Sequence, residues 1–383
     1  MRVGFILPPQ MWLGGRNYFK NLLTAIAGLA DTPIEPVVFT SSRDDAALTG
    51  LPPIRVVRAS MMDHWTPAWV CRQIVAKSLA GDWALHRLLK KENIGVISHW
   101  LPLVPRSSIA SVGWIADFQH THLPRLFTDK ELRNRDRDSM EVCRRCDKVI
   151  VSSESARSDL RLFAPRYAHK AEVLHFVASP PQAESASSPG ELQARFEFSG
   201  PYFLLPNQFW THKNHRVVLA ALQLLKLQNR RVLVLATGAT VDNRQPGAFS
   251  SLMRFAEECG VLDRFRALGV ISPQELTGLM HHAVALINPS HFEGWSTSVE
   301  ESKSMGKTIL LSDIPVHREQ APERGIYFPA NDAERLAEAL WATQRDFDAD
   351  SDARHRASAG SQLSSRRLQF ARDFQRIIVS AAR

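Results

Sequence analysis

Short apolar runs rich in β-forming residues alternate with amphipathic helical stretches along the chain, and this happens twice. In the first half the strand candidates are residues 3–7, 36–40, 54–57, 96–98, 112–117, 149–152 and 173–177, with helical patterns at 17–29, 83–91 and 131–146 between some of them. Strand-helix alternation of this kind predicts a mostly parallel sheet covered on both faces by helices. The stretch VASPPQAESASSPGE, residues 177–191, then breaks the pattern with Pro, Ser and Ala, the composition of a linker. After it the alternation resumes, with strands expected at 202–205, 232–236, 266–269, 284–288, 308–311 and 326–328. Helices are expected there at 214–228, 250–258, 273–282, 298–305 and 333–343, and a basic helix over 361–383.

The chain therefore reads as two doubly wound α/β domains in tandem: 1–180, a linker at 181–199, 200–360, and a C-terminal helix at 361–383 that can pack back on the first domain. Its 383 residues allow each domain its own core. In such sheets ligands bind at the carboxyl ends of the strands, so a cleft between the domains is the expected site.

Bulk composition removes several function classes. No apolar run approaches the roughly 20 residues that cross a bilayer, and Pro8 and Pro9 end the apolar N-terminal run, which reads as a strand rather than a signal peptide. Four cysteines are too few for a disulfide framework, which points to a reducing, cytosolic compartment. Cys143 and Cys146 form a CxxC that reads either as a redox or zinc motif or, more simply, as two residues on one helix face. The net charge of +8 implies an anionic partner: nucleic acid, a phosphorylated ligand or a membrane surface.

Four constellations carry possible chemistry. Gly14 and Gly15 follow the first strand, where they serve as a turn or as a loop that lets backbone N–H groups reach an anion. In PNQFWTHKNH, residues 206–215, Lys213 and Asn214 are expected to open a helix. A lysine there opposes the helix dipole unless a phosphate is bound, the alternative being a solvated lysine. In WIADFQHTHLP, Asp117, His120 and His122 follow a strand and serve as hydrogen-bonding residues or as metal ligands. In SHFEGWSTSVEESKSMGK, residues 290–307, Thr297 and Glu300 have capping-box spacing, and so do Ser298 and Glu301. Glu293 precedes the helix, where a cap cannot account for it.

Together these pieces resemble the retaining GT-B glycosyltransferases of group 1, family four, most strongly from residue 206 to 340. The most specific element is Glu293, seven residues, then Glu301, followed by SMGKTILLSDIPVHRE. PNQFWTHKNH and the DFQH segment look like a bacterial subgroup that builds cell-surface polysaccharides or lipopolysaccharide. The resemblance implies that Glu301 binds the ribose of a nucleotide and Glu293 the donor sugar. Gly294, Trp295, Ser296 and Thr297 would offer N–H groups to sugar and diphosphate, and Lys213 would neutralise the diphosphate. Gly14, Gly15, Asn207 and Gln208 would line the donor, Leu268 and Val270 would flank the base, and Asp117 and His120 would face the donor sugar. Glu293, His120 and Lys213 would act in catalysis.

Two departures stand out. Gln208 occupies the place of an arginine common five residues before the lysine, so diphosphate binding would lean on Lys213, helix dipoles or an arginine elsewhere. Ala116 stands where the family often has histidine.

The implied reaction moves a sugar from a UDP- or GDP-sugar to an acceptor hydroxyl with retention, without metal or cofactor, through electrostatic stabilisation of the departing diphosphate. A phosphate oxygen of the leaving group would take the acceptor's proton, and Glu293 would not be a nucleophile. A retaining glycosidase, by contrast, needs two carboxyls about 5–5.5 Å apart across one bond. A glycan or lipid-linked acceptor is implied. The tryptophans and basic residues of 61–91 suit an anionic membrane interface at the inner face of the plasma membrane, or simply two packed helices. Two rival readings are a non-catalytic nucleotide-sugar-binding protein and a basic nucleic-acid binder. The second is disfavoured because positive charge is spread along the chain rather than set in a stripe with aromatics.

Overall fold

The computed structural model describes residues 1–7, 13–44, 48–78, 81–178 and 186–382. Two compact units emerge. Met1–Phe118, Thr128–Val177 and Ser365–Arg383 form the first, and Gln119–Phe127 with Ala178–Ser364 form the second.

The first unit holds seven parallel strands: β1 (Arg2–Ile6), β2 (Glu35–Thr40), β3 (Arg55–Arg58), β4 (Ile94–Ser98), β5 (Ala110–Ile115), β6 (Lys148–Val151) and β7 (Ala171–Val173). They run in the order β3-β2-β1-β4-β5-β6-β7. The second holds β8 (Phe203–Leu205), β9 (Val234–Thr237), β10 (Phe265–Gly269), β11 (Leu286–Asn288), β12 (Ile309–Ser312) and β13 (Gly325–Phe328) in the order β10-β9-β8-β11-β12-β13. Each expected strand has its counterpart, shifted by at most about two residues at an end except for β7, which ends at Val173, four residues before the expected 177. Helices cover both faces, so Leu204, Leu235, Leu286 and Leu310 are all fully buried, which is why these strands read as continuous apolar runs rather than alternating ones.

In the second sheet the strand order reverses between β8 and β11. That switch point opens a crevice at the carboxyl ends of the two strands, where the loops 206–214 and 289–296 emerge.

Three expectations on helices need correction. Gly14 and Gly15 do not form a loop: both lie in the first turn of the helix Leu13–Ala27, Gly14 exposed and Gly15 buried. The linker composition of 181–199 hides a helix, Pro189–Phe196, because Ser188 and Glu191 form a capping box and Leu192 joins a buried cluster with Leu279 and Val299. Residues 181–185 of that stretch lie outside the described residues. The basic tail is the end of a 33-residue helix, Ala349–Ala381. Its beginning belongs to the second unit, where Asp352 pairs with the buried Lys307 at 2.8 Å. Its end belongs to the first, where Phe374 stacks on Phe5 with ring centres 5.8 Å apart.

Cys143 and Cys146 are buried thiols at the end of the helix Asp129–Arg145, and burial pushes them up to about 11 and about 12. Both are therefore packing residues rather than reactive ones. No described helix is long and apolar enough to cross a membrane.

Candidate active site

The loop leaving β8 ends in a tight 3-10 turn, Thr211–Lys213. Asn214 then adopts a left-handed conformation, φ 55°, which asparagine tolerates better than most residues because its short amide can bond locally. That amide donates to Pro289 O at 3.1 Å and Ala330 O at 2.7 Å, tying the turn to the loop after β11. The helix opens only at His215. Lys213 thus closes the turn rather than opening the helix, because the left-handed residue intervenes.

Placed there, Lys213 Nζ donates to both oxygens of Glu293, at 2.7 and 2.9 Å. Ser290 Oγ donates to Glu293 Oε1 at 2.6 Å. Glu293 is only 8% exposed. Burial alone would raise its carboxyl, but Lys213, His317 and the two hydrogen-bond donors outweigh it and hold the group at about 2. Glu293 is therefore an anion at neutral pH and cannot act as a general acid.

A buried amide organises the loop. Asn288, the last residue of β11, is fully buried. Its Oδ1 accepts from Asn207 Nδ2 at 3.2 Å and from the Ser290 backbone N–H at 3.3 Å, and its Nδ2 donates to Ser296 Oγ at 2.7 Å and Ser298 Oγ at 3.1 Å. One side chain thus joins the loop after β8, the loop after β11 and the start of the helix Thr297–Met305. From the neighbouring elements, Ser312 Oγ donates to Ser290 O at 2.5 Å, and Gln320 exchanges two hydrogen bonds with the backbone of Ser296 at 3.2 and 2.9 Å.

The capping box does not form. The N-cap is Ser296, whose hydroxyl is engaged by Asn288, so Thr297 is already helical and Glu300 lies a full turn inside. Glu300 is buried and accepts from Gln320 Nε2 and Lys303 Nζ, both at 3.1 Å. Ser298 and Glu301 do not cap the helix either. Glu301 is half-buried, its carboxyl has no hydrogen-bond partner among the described residues, and burial lifts it to about 8. Gly294, Trp295 and Thr297 are half-buried along the loop between the two glutamates.

The remaining candidates fall in several places. Residues 119–127, although they follow β5, belong to the second unit. His120 is buried there, and the exposed His122 lies against Phe292 with ring centres 5.1 Å apart. Asp117 stays in the first unit, 3.8 Å from Arg135. Leu268 is half-buried within β10, whose end, Gly269, accepts from Gly238 N at 2.9 Å; Val270, just beyond, is 79% exposed. Gln208 Oε1 accepts from Ala239 N at 2.5 Å, joining the loops after β8 and β9. Among the described residues no group of three His, Cys, Asp or Glu is placed to hold a metal.

Sequence reasoning missed Asn288, Ser290, Gln320 and His317. His317 is fully buried, with Nδ1 2.8 Å from Ser312 O. It stands in SDIPVHRE, but an imidazole that bonds a backbone carbonyl inside the fold carries no spacing signal.

The two sheets and the loop geometry define a GT-B fold, that of nucleotide-sugar glycosyltransferases. Similar solved structures agree over essentially the whole chain. Sucrose-phosphate synthase from Thermosynechococcus elongatus has a TM-score of 0.68 at 16% identity, covering 99% of each chain. Anabaena HepE in complex with UDP-glucose has a TM-score of 0.68 at 15% identity, covering 99% of this chain and 100% of its own. WaaG, a glycosyltransferase involved in lipopolysaccharide biosynthesis, has a TM-score of 0.57 at 14% identity, covering 99% and 98%. Residues 194–357, within the second unit, match the sequence profile of the family described as Glycosyl transferases group 1. A search of curated protein sequences finds no match.

Proposed function

We propose that the chain is a group 1 glycosyltransferase, a transferase of the EC 2.4 class, that moves a sugar with retention from a UDP- or GDP-sugar to an acceptor hydroxyl. The observation that carries this reading is the pair of glutamates at the switch point of the second sheet. Glu293 is a buried anion clasped by Lys213, and Glu301, eight residues on, has a carboxyl without a hydrogen-bond partner among the described residues. Glu301 then takes the ribose hydroxyls and Glu293 the donor sugar. Lys213 turns toward the diphosphate as it departs, aided by the helix N-terminus at Ser296 and Thr297. His120 supports the donor sugar, Leu268 and Val270 flank the base, and the first unit binds the acceptor. The reaction runs without metal, since these groups supply the compensating charge. HepE is a precedent for UDP-glucose as a ligand of this fold.

The acceptor we propose is a lipid-linked glycan in cell-surface polysaccharide or lipopolysaccharide synthesis, met at an anionic cytoplasmic membrane face. The helix Pro67–Ser78 has no fully buried residue, Trp65 and Ile74 are 85% and 59% exposed, and Lys77 lies in its last turn. Exposed apolar groups with cations beside them suit such a surface.

Glu293→Ala is a poor test, because a buried ammonium left without its partner costs about 3–5 kcal/mol. Glu293→Gln keeps the shape and removes the charge. It is expected to lower release of nucleoside diphosphate from the donor by about 10²–10³-fold; the melting temperature also falls, by less than for Glu293→Ala because the amide oxygen still accepts from Lys213, so activity is read well below it. Near-normal turnover would sink the assignment. A wild-type chain that binds donors tightly yet transfers and hydrolyses none of them is a binding protein instead.

A further inference from the structure

The diphosphate site as read from sequence has one cation, Lys213, and in the structure that cation is held by Glu293. Gln208, at the place of the family's arginine, is also committed, to the backbone of Ala239. A leaving group that accumulates negative charge calls for a second positive group near the loop after β8.

The neighbouring loop supplies one. β9 pairs with β8 in parallel, so the residues leaving β9 emerge at the same sheet end as Lys213. The two loops touch: at Gly238, φ 144°, an added Cβ would meet Asn207 O at 2.6 Å, so only glycine permits this approach. Six residues on, the Arg244 guanidinium lies over the rings of Trp210, at 5.6 Å, and Phe127, at 5.1 Å. Its Nη1 donates to Gln119 Oε1 at 3.0 Å. Asp242 Oδ1 accepts from the Arg244 backbone N–H at 3.0 Å and lies 3.5 Å from Nε, fixing the loop. The Arg244 side chain is 20% exposed, and its Nη2 has no hydrogen-bond partner among the described residues. His212, the residue before Lys213, is driven down to about 3 by burial and then by Lys213 and Arg244 as neighbouring cations, so both charges act on one imidazole.

We propose that Arg244 is a phosphate-binding residue of the donor site, supplying from the loop after β9 the cation that position 208 lacks. A planar guanidinium already stacked and bonded loses little freedom on gripping a phosphate, and its fork matches two phosphate oxygens. This rests on the nucleotide-sugar reading above.

Titration calorimetry of the full chain with UDP, GDP, uridine and guanosine tests it. Wild type is expected to bind one diphosphate more tightly than its nucleoside. Arg244→Gln is expected to weaken that diphosphate about 10-fold or more and to leave the nucleoside unchanged. Adding Gln208→Arg to that variant should restore much of the loss. Gln119→Ala, which frees Arg244 from its clamp but keeps the cation, should keep the diphosphate preference. An unchanged preference in Arg244→Gln, an equal loss of nucleoside and diphosphate, or an equal loss of preference in Gln119→Ala overturns the proposal. If Arg244→Gln does not fold, Arg244→Met, which keeps an unbranched stem against Trp210 and Phe127 but removes the cation, is read the same way, and an undiminished diphosphate preference overturns it too. A wild type that prefers neither diphosphate over its nucleoside fails the nucleotide-sugar reading itself.

Discussion

Glu293 and Glu301 share a side-chain type and a loop-helix segment but stand in opposite electrostatic situations. Glu293 is held ionised by Lys213, so its contribution to stability is present above its ordinary 4.5 and lost as pH falls toward about 2. Glu301 has no compensating charge, and burial lifts it from 4.5 to about 8. Between those values the folded chain holds a proton that the unfolded chain has released, so stability falls as pH rises through that window. Glu301→Gln removes this penalty. Its melting temperature in the absence of nucleotide is expected to exceed that of wild type by a margin that widens from pH 5 to pH 8.5, by about 2–4 °C for each kcal/mol recovered. A margin equal at both pH values would contradict the burial argument. The two glutamates were legible at residue scale only as candidates, Glu293 because a helix cap cannot account for it and Glu301 because of its place seven intervening residues on. Their protonation states were not, because each depends on neighbours distant in sequence.

At the scale of elements, the loop after β11 keeps its shape through Asn288, which bonds to three segments while wholly out of water. Asn288→Ala takes the shared partner from the amide of Asn207 and from the hydroxyls of Ser296 and Ser298. It is expected to cost about 2–4 kcal/mol, read as a fall in the urea midpoint with unchanged slope, and to weaken donor binding with it. A loss below about 0.5 kcal/mol would mean that the network relaxes around the gap. Strands and most helices were readable at this scale, because burial on both faces writes long apolar runs. The capping box at Thr297 and Glu300 misled because its spacing is local, whereas the true N-cap hydroxyl, at Ser296, was claimed by an amide eight residues earlier. Composition is equally blind to the helix Pro189–Phe196, where Ser188 and Pro189 are helix-start residues and Leu192 is buried beneath them.

For the molecule as a whole, the charge of +8 and the bare helix Pro67–Ser78 argue together for a surface partner. Flotation with anionic liposomes is expected to carry the chain at low salt and to release much of it at high salt, as surface charges are screened. Ile74→Asp with Trp65→Ala should reduce flotation without changing the fold. Salt-independent behaviour, or equal flotation of the variant, would remove the membrane from the picture.

By itself the sequence determined two parallel α/β sheets and the order of their strands along the chain. These follow from periodicity and local spacing, which act between near neighbours. Tertiary structure alone decided which groups meet. Lys213 and Glu293, 80 residues apart, form one ion pair, Asn288 joins three segments, and Arg244 reaches the loop of Trp210 from an adjacent strand. The reason is that parallel strands bring the ends of distant segments to one edge, and which side chains then touch depends on burial and charge across that edge rather than on any pattern along the chain.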